Sequence, residues 1–281
     1  MDATGTLPGW DTLAALDDDA LPLLDVALLI ARDEYPDLDP RRYALRVQGH
    51  AAHLRGVVER ESHPALKMRA INRYLFEEVG YAGNHDEYYD PRNSYLNEVF
   101  ERRLGNPVSL ALVQMAVARA VGLPLDGISF PGHFLVRLPV DDGVLVMDPF
   151  NRGRPLDVDE LRERAQAHLG GRAPDDEVLS RILNPASNRA ILVRVLRNLH
   201  AVYHGHGDWE RATRSADRVL RLLPGDPEAL RDRGAGYLQL GHVAGAREDL
   251  QRYLLLRPHA EDAASIRLRL VETGRAPARL H

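Results

Sequence analysis

The chain has 281 residues, which is enough for one large domain or two modest ones. Hydrophobic residues make up 44% and charged residues 27%, as in an ordinary soluble globular protein. A formal net charge of -5 gives no basic footprint for nucleic acid, and the absence of cysteine excludes disulfides, thiolate metal sites and thiol nucleophiles. No motif indicates a cofactor, so we expect a protein without a cofactor or a bound metal.

The N-terminal residues carry no predicted signal for export or membrane insertion. They are acidic and lack the basic stretch that precedes the apolar core of a signal peptide. The apolar run from Leu21 to Ala31 is interrupted by Asp25 and is far shorter than the roughly 20 residues of a membrane-spanning helix. We therefore expect a cytoplasmic protein that binds neither membranes nor nucleic acid.

Helices are predicted for the first part of the chain. From residue 11 to residue 78, apolar side chains recur at helical spacing. Pro64 is expected near the start of one helix, and Gly80 just after its end. A further short helix is expected from Tyr95 to Leu104.

A polar segment with interleaved aromatic residues runs from Tyr81 to Ser94, and we call it the aromatic loop. Its composition predicts either the rim of a functional site or a packed surface loop. We take Asn84, Tyr88 and Tyr89 as candidate binding residues. Adjacent residues in a loop seldom converge on one ion, so the histidine and acidic residues of this loop do not predict a metal site.

The helix that follows is predicted to be buried. Asn106 is a good N-cap and a candidate binding residue, and Pro107 suits the first helical position. Only three residues between Val108 and Val121 are polar, namely Ser109, Gln114 and Arg119. They point in different directions around the helix, so no single polar face exists.

Strands are predicted next. The three runs are Leu125 to Phe130, Phe134 to Val140 and Val144 to Met147. A two-residue turn between the last two places Asp148 opposite Leu135 or Arg137, on the same face as His133. If residues 141 and 142 form the turn, His133 and Asp148 are diagonal neighbours that can meet. A three-residue turn would place them on opposite faces.

His133 and Asp148 each allow a structural and a functional interpretation. His133 stands in the segment PGHF, either as a hydrogen-bonded structural histidine or as a residue that faces a cleft. Asp148 precedes Pro149, and an Asp-Pro pair usually forms a turn. Together on adjacent strands they suggest an acid that orients an imidazole, as in catalytic triads.

The sequence repeats itself after Pro185. Gly207, Ala212 and Pro224 recur 34 residues later as Gly241, Ala246 and Pro258, and Tyr203, Leu220 and Leu222 recur as Tyr237, Leu254 and Leu256. This period, with a glycine, a small residue and a proline in that order, is the signature of tetratricopeptide (TPR) repeats, each of which is a helical hairpin. A final helix at about 261–272 is expected to cap them.

The first helix of each repeat is expected to line a groove for a partner. Arg197 and His200 stand one period before Arg231 and Gly234, so these positions should stack. We take Arg197 and Arg231 as candidate binding residues. Their charge favours an acidic peptide, and a solvated helix face is the alternative.

Several segments together resemble the transglutaminase-like superfamily, and more closely its bacterial SirB-type branch with a C-terminal TPR region. The matching segments are DPRNSYLNEVFERRLGNPVSLA, GLP, PGHFLV and DPFNRGRPL. The resemblance implies an α+β fold, with a papain-like or transglutaminase-like core and N-terminal helices at residues 1–185. An all-α TPR module at residues 186–281 would follow. It also implies a histidine on one strand and an aspartate on the next, which His133 and Asp148 match.

The nucleophile that the resemblance implies has no counterpart. The superfamily has a cysteine at the start of the central helix, and counting back from Gly122 and Ala111 places Pro107 there. Proline has no nucleophilic atom. Ser109 is the nearest hydroxyl, but it lies about 200° around the helix and is expected to point away from the cleft. We therefore favour a first-turn role for Ser109, in which it bonds the helix end.

Two functions remain open at this point. The favoured interpretation is a non-catalytic transglutaminase-like and TPR protein that acts in protein–protein recognition or regulation. The alternative is a hydrolase or acyl-transfer enzyme in which His133 and Asp148 activate Ser109 or a water molecule. The two differ in whether the Ser109 hydroxyl lies within hydrogen-bond reach of His133, or Pro107 fills that space.

Overall fold

A computed structural model describes residues 7–141 and 143–275 of the chain. These residues form two compact units. Residues 7–8 and 16–195 make the first unit, and residues 9–15, which contain α1 (Trp10–Leu13), join residues 196–275 in the second. Helices predominate and the sheets are small, so the predicted α+β class is confirmed. The predicted domain boundary between residues 185 and 186 stays a prediction.

Helices open the first unit, as predicted. They are α2 (Leu23–Arg32), α3 (Pro40–Arg60) and α4 (Pro64–Asn72). Proline begins both α3 and α4, where its missing N–H costs no hydrogen bond, and the side chains of Asp39 and His63 accept hydrogen bonds from the first turns. A π-helical segment, Arg73–Glu78, continues α4, and Gly80 follows with φ +87°.

One helix is buried on all sides. α6 (Pro107–Ala120) follows α5 (Leu96–Arg102), and from Pro107 to Ala118 every residue except Ala116 is buried. The prediction of a central helix without a polar face is confirmed. It has 14 residues, and within the described ranges no helix has both the length and the apolar composition needed to cross a membrane.

A four-stranded antiparallel sheet follows α6. Its order is β3 (Asp126–Ile128), β4 (Leu135–Val140), β5 (Gly143–Asp148) and β6 (Arg154–Leu156). A separate parallel pair joins β1 (Ala82–Gly83) to β2 (Leu104–Gly105). Val140 pairs with Gly143. This is the register predicted for a turn at residues 141 and 142. The sequence patterns do not predict β1, β2 or β6, because each has only two or three residues.

The two faces of the four-stranded sheet pack against different helices. Leu135 and Val146 belong to an apolar cluster with residues of α7 (Val158–Gln166) and α8 (Asp176–Ile182). Side chains alternate between the faces, so Met147 points the other way, where its sulfur contacts the side chain of Asn72. The sheet is therefore covered on both faces.

The 34-residue period is visible in the backbone of the C-terminal helices. They are α9 (Asn188–Gly205), α10 (Trp209–Leu222), α11 (Pro227–Gln239), α12 (Val243–Leu256) and α13 (Ala263–Arg275). Gly207 and Gly241 have φ of 72° and 78°. In the turns that follow, the N–H of Asp208 bonds the Tyr203 carbonyl, and 34 residues later the N–H of His242 bonds the Tyr237 carbonyl. Both repeats close their first helix with the same turn, as expected of TPR hairpins.

Glycines allow close packing of α10, α11 and α12. A Cβ at Gly234 would lie 2.8 Å from the side chain of Leu250, and a Cβ at Gly236 would lie 2.0 Å from the hydroxyl of Thr213. Gly234 is buried between helices. The expectation that it lines a groove is therefore wrong, because its missing side chain is needed for helix packing.

The short helix α1 packs on α10. Leu13 is completely buried. The guanidinium of Arg218 lies 4.7 Å from the ring centre of Trp10, and Arg221 forms an ion pair with Asp11. A segment near the start of the chain is thus part of the second unit.

Arg233 joins three helices of the second unit. Its Nη1 lies 2.6 Å from Asp217 Oδ1 on α10, and its Nε and Nη2 lie 2.7 and 2.8 Å from the carboxylate of Asp249 on α12. Asp249 is only 4% exposed, so Arg233 supplies the cation that its buried charge requires.

Replacing Arg233 by methionine is expected to lower the free energy of unfolding of the second unit by roughly 3–5 kcal/mol, because Asp249 is left buried without its cation. The two tryptophans of the chain, Trp10 and Trp209, both lie in this unit, so urea unfolding followed by tryptophan fluorescence reports on it. Arg257→Met removes an exposed ion pair and should cost about 1 kcal/mol or less. Equal losses in the two variants would contradict this role of Arg233.

Candidate functional site

His133 stands where a tight turn enters β4. Its N–H bonds the Phe130 carbonyl, and the preceding residue, Gly132, has φ +67°. A Cβ at Gly132 would lie 2.2 Å from the ring of His168, so only glycine suits both the turn and the neighbouring ring. The side chain of His133 is 20% exposed, so solvent reaches it.

The hairpin register brings His133 to Asp148. Val136 pairs with Met147, which sets Asp148 diagonally across from His133. His133 Nε2 lies 2.9 Å from Asp148 Oδ1. The predicted hydrogen bond between the two side chains is confirmed, and we call them the His–Asp pair.

The carboxylate of Asp148 is completely buried and bonded on both oxygens. Besides His133, Oδ1 accepts the N–H groups of Phe150 and Asn151 at 3.1 and 3.3 Å. Oδ2 accepts from Asn151 Nδ2 at 2.6 Å and from Arg164 Nη1 at 2.9 Å. Burial raises the pKa of the Asp148 carboxyl, but the bonds from His133, Asn151 and Arg164 outweigh burial and hold the pKa well below its usual value. The group is therefore ionised at neutral pH.

One ring nitrogen of His133 is available for acid–base chemistry. Nε2 of His133 faces Asp148, whereas Nδ1 has no hydrogen-bond partner within residues 7–141 and 143–275. An ionised carboxylate behind an imidazole fixes the orientation of the ring. The pair can therefore accept a proton from a nucleophile or a water molecule that lies at Nδ1.

Aromatic rings surround Phe150 beside the His–Asp pair. The ring centres of His85, Tyr88 and His133 lie 4.5, 5.8 and 6.1 Å from that of Phe150. Tyr88 and Tyr89 are exposed and in edge-to-face contact with each other. The aromatic loop thus reaches the neighbourhood of His133 through Phe150, and it presents both tyrosines to solvent.

Two buried asparagines fix the aromatic loop. Asn84 Nδ2 donates to Asn93 Oδ1 at 3.0 Å, and Asn84 Oδ1 accepts from the N–H of Glu87. Asn93 Nδ2 donates to the carbonyls of Glu87 and Tyr88. The side-chain bonds of Asn84 are therefore internal to the loop, and its predicted binding role stays a hypothesis.

The N-terminus of α6 forms a closed polar network. Asn106 Oδ1 accepts the N–H of Ser109, and Ser109 Oγ accepts the N–H of Asn106, both at 3.0 Å, so that the two form a capping box. Ser109 Oγ also donates to the Asn93 carbonyl at 2.6 Å, and Asn106 Nδ2 donates to Ser94 Oγ at 2.8 Å. The favoured interpretation of Ser109 as a residue that bonds the helix end is confirmed. Within the described part of the chain, no hydrogen bond joins it to His133.

The position that the resemblance assigns to the nucleophile holds no reactive atom. Pro107 is the first residue of α6 and is buried. The chain has no cysteine. Among the described residues, no three histidine, aspartate or glutamate side chains are grouped to hold a metal ion.

The candidate binding arginines of the repeats are paired with aspartates. Arg197 Nη2 lies 2.8 Å from Asp226 Oδ2, and Arg231 Nη2 lies 2.8 Å from Asp232 Oδ1. Arg231 also approaches Asp262 at 3.5 Å. Carboxylates thus compensate much of the positive charge that the sequence places on this face.

Three residues that lie around the His–Asp pair were not predicted as site residues from the sequence. Asn151 follows Asp148 by three residues. An aspartate often bonds the backbone a few residues further on, so this spacing is a local signal for the contact between Asn151 and Asp148. Phe150 carries no signal beyond its apolar character. Arg164 comes from α7, and only the folded sheet brings that helix to Asp148.

Sequence comparisons relate this geometry to known proteins. The profile of the transglutaminase-like superfamily matches residues 41–197, and that of the tetratricopeptide repeat matches residues 199–271. A UPF0162 protein of Xylella fastidiosa is 63% identical over 275 residues and 98% of each chain. A UPF0162 protein of Pseudomonas aeruginosa is 32% identical over 89% of this chain and 90% of its own length. F-box only protein 21 of Mus musculus is 28% identical over 67% of this chain and 33% of its own length. No solved structure gives a significant match.

Asp148 is expected to make stability sensitive to acid. A free aspartate titrates near about 3.9, and the pKa of Asp148 is lower in the folded chain. Its contribution is therefore complete above about pH 5 and is lost progressively as the pH falls further. Asp148→Asn should lower the free energy of unfolding by about 2 kcal/mol at pH 7 and flatten its decline between about pH 5 and pH 2.5.

Urea unfolding at a series of pH values, followed by circular dichroism, measures both effects. Asp159→Asn is the matched control, because this carboxylate is exposed in the same unit and should change little. An identical pH dependence in the unaltered chain and in Asp148→Asn would show that the bonds to Asp148 do not stabilise its ionised form.

Proposed function

We propose, since the chain belongs to the transglutaminase-like superfamily and to the bacterial UPF0162 proteins, that it is a cytoplasmic recognition protein and not an enzyme. Its TPR repeats bind a protein or peptide partner, as this class of repeat does. The transglutaminase-like unit keeps the architecture of an active site without the nucleophile. The His–Asp pair is then a structural element.

The burial and the hydrogen bonds of Ser109 support the proposal that the chain is not an enzyme. Ser109 is 0% exposed, its hydroxyl hydrogen is donated to the Asn93 carbonyl, and its oxygen accepts the N–H of Asn106. A nucleophile must reach both its base and its substrate, and a buried capping hydroxyl reaches neither. With Pro107 at the cysteine position, the chain offers no other nucleophile that the resemblance identifies.

The proposed structural role of the His–Asp pair rests on the groups that Asp148 bonds. Its carboxylate caps the turn Pro149–Asn151 and bonds Arg164 of α7. Its backbone carbonyl accepts the N–H of Gly153 at 2.8 Å. The pair therefore fixes the connection between β5 and β6, which a recognition protein needs in one conformation as much as an enzyme does.

The face with Arg197 and Arg231 supports a peptide partner of mixed charge. Each guanidinium lies beside an aspartate, so the face presents alternating positive and negative groups. A strongly acidic partner would meet those aspartates and be repelled. We therefore attribute to this face a preference for peptides that carry both signs of charge.

One observation favours a second candidate function. The side chain of His133 is 20% exposed and its Nε2 is held by an ionised carboxylate, which is the arrangement of a general base. In this alternative the chain is a hydrolase in which His133 Nδ1 activates a water molecule, and Ser109 takes no part.

Assays of the full chain against acyl esters and fluorogenic peptides decide between the two functions. We expect hydrolysis at the same background rate in the unaltered chain, in His133→Gln and in Ser109→Ala. Ser109→Ala should still lower the free energy of unfolding by about 1 kcal/mol, because the capping box is lost. Turnover that disappears in His133→Gln, while circular dichroism shows an intact fold, would establish the hydrolase instead.

The recognition role has its own test. Peptides selected from a random library against the full chain should bind Arg231→Ala about fivefold or more weakly by fluorescence anisotropy, because arginines dominate such interfaces. Arg247→Ala, an exposed arginine on α12, is the control and should bind normally. Selected peptides that bind both variants and the unaltered chain equally would contradict recognition at this face.

A further inference from the structure

A small apolar pocket lies over the only partly exposed stretch of the central helix. Residues of α2, α3 and α6 line it, and its volume is about 270 Å³. Ala116 belongs to the lining, and it is the one residue from Pro107 to Ala118 that is not buried. Of the described residues that line the pocket, none belongs to the His–Asp pair or bonds it. The pocket is therefore a site separate from that pair.

The walls of the pocket are apolar with one exception. Two leucines at the start of α2 and a valine of α3 form one side. The other side consists of α6 residues that recur every three or four positions and so form a stripe along the helix: Leu112, Met115, Ala116, Arg119 and Ala120. A flexible hydrocarbon chain fits such a stripe, and the thioether of Met115 adapts readily to the shape of a ligand.

Arg119 carries the one charge of this lining, and that charge is uncompensated. Within the described ranges no hydrogen bond or ion pair holds its guanidinium, and no acidic side chain lines the pocket. Asp25 in the first turn of α2 is buried, lies outside the lining and has contacts of its own. The end of α6 does not occupy Arg119 either, because the N–H groups of Val121 and Gly122 bond its last carbonyls. A free guanidinium beside apolar walls favours an apolar ligand with an anionic head group.

The size and polarity of the pocket define the rest of the ligand. At about 30 Å³ for each water-sized group, the volume holds roughly nine non-hydrogen atoms. Apart from Arg119, the side chains of the lining offer no strong hydrogen-bonding group. The amide groups of a peptide that entered the pocket would lose their bonds to water without replacement. A hydrocarbon chain with one terminal carboxylate has no such groups.

We propose that this pocket binds a free fatty acid of medium length, with about eight carbons. The hydrocarbon chain lies along the stripe of α6, and the carboxylate pairs with the guanidinium of Arg119. This site is independent of the recognition role assigned to the repeats, so the failure of one proposal leaves the other standing.

Nuclear magnetic resonance of the full chain, with isotope-labelled methionine methyl groups, measures binding at the pocket itself. The chain has four methionines, and of the described ones only Met115 lines the pocket. Octanoate, titrated below its micelle concentration, should shift the Met115 signal saturably and leave the Met147 signal in place. Hexanoate should bind about fifteenfold more weakly, because two fewer CH₂ groups are buried. Decanoate and dodecanoate should bind equally, because the pocket is then full.

Variants of Arg119 test the ion pair. Arg119→Gln should weaken octanoate binding about fivefold and leave octanol binding unchanged, so that the two ligands bind this variant equally. Arg119→Lys keeps the charge and should restore most of the affinity for octanoate. Arg172→Gln, an exposed arginine elsewhere in the same unit, is the matched control and should bind as the unaltered chain does. Ala116→Leu fills the pocket and should weaken octanoate at least about tenfold while circular dichroism stays unchanged.

Four results would overturn the proposal. They are the absence of a saturable shift of the Met115 signal, an equal loss of affinity in Arg172→Gln, binding of octylamine as tight as that of octanoate, and tighter binding of the tripeptide Ala-Ala-Leu than of octanoate. The third result would show an apolar cavity that does not select charge, and the fourth would show a site for a peptide C-terminus.

Discussion

The buried carboxylate of Asp148 is the interaction on which the first unit depends. A charge removed from water is costly unless ion pairs and hydrogen bonds replace its solvation. Here the replacements come from separate parts of the chain: His133 before β4, the turn after β5 and Arg164 on α7. Satisfying one carboxylate therefore fixes the hairpin register, the β5–β6 connection and the position of a covering helix together.

The same carboxylate has a structural role that does not depend on a nucleophile. Asp148 also supports backbone N–H groups and an arginine, so its loss would leave several buried groups without partners. At the start of α6, Asn106 and Ser109 similarly satisfy the free N–H groups of a buried helix. Both sets of residues therefore satisfy buried polar groups of the folded chain.

Local and periodic patterns predicted much of the fold. The absence of a polar face predicted the burial of α6, and the alternation of the strands allowed the register in which His133 meets Asp148. The 34-residue spacing predicted the repeats. Each of these features depends on residues close in sequence or on a strict period.

Features that depend on distant partners could not be predicted. The pairing of Arg197 with Asp226 and of Arg231 with Asp262 is set by how the helices stack, and it changes the charge of the face that the arginines were expected to define. Gly234 occupies a repeated position, but its role is set by Leu250 on the next helix. The role of Arg164 could not be predicted either, because only the folded sheet brings α7 to Asp148.

The packing of α1 on α10 has a consequence for the order in which the protein folds during synthesis. Asp11 and its partner Arg221 are 210 residues apart. At a ribosomal rate of about 5–20 residues per second, Trp10 and Leu13 emerge roughly 10–40 s before the helix that buries them. Throughout that interval an apolar segment is exposed on the nascent chain, while the residues of the first unit are made and can fold. The second unit therefore closes only after the residues of the first unit have been made, and it does so by capturing a segment that was synthesised before them.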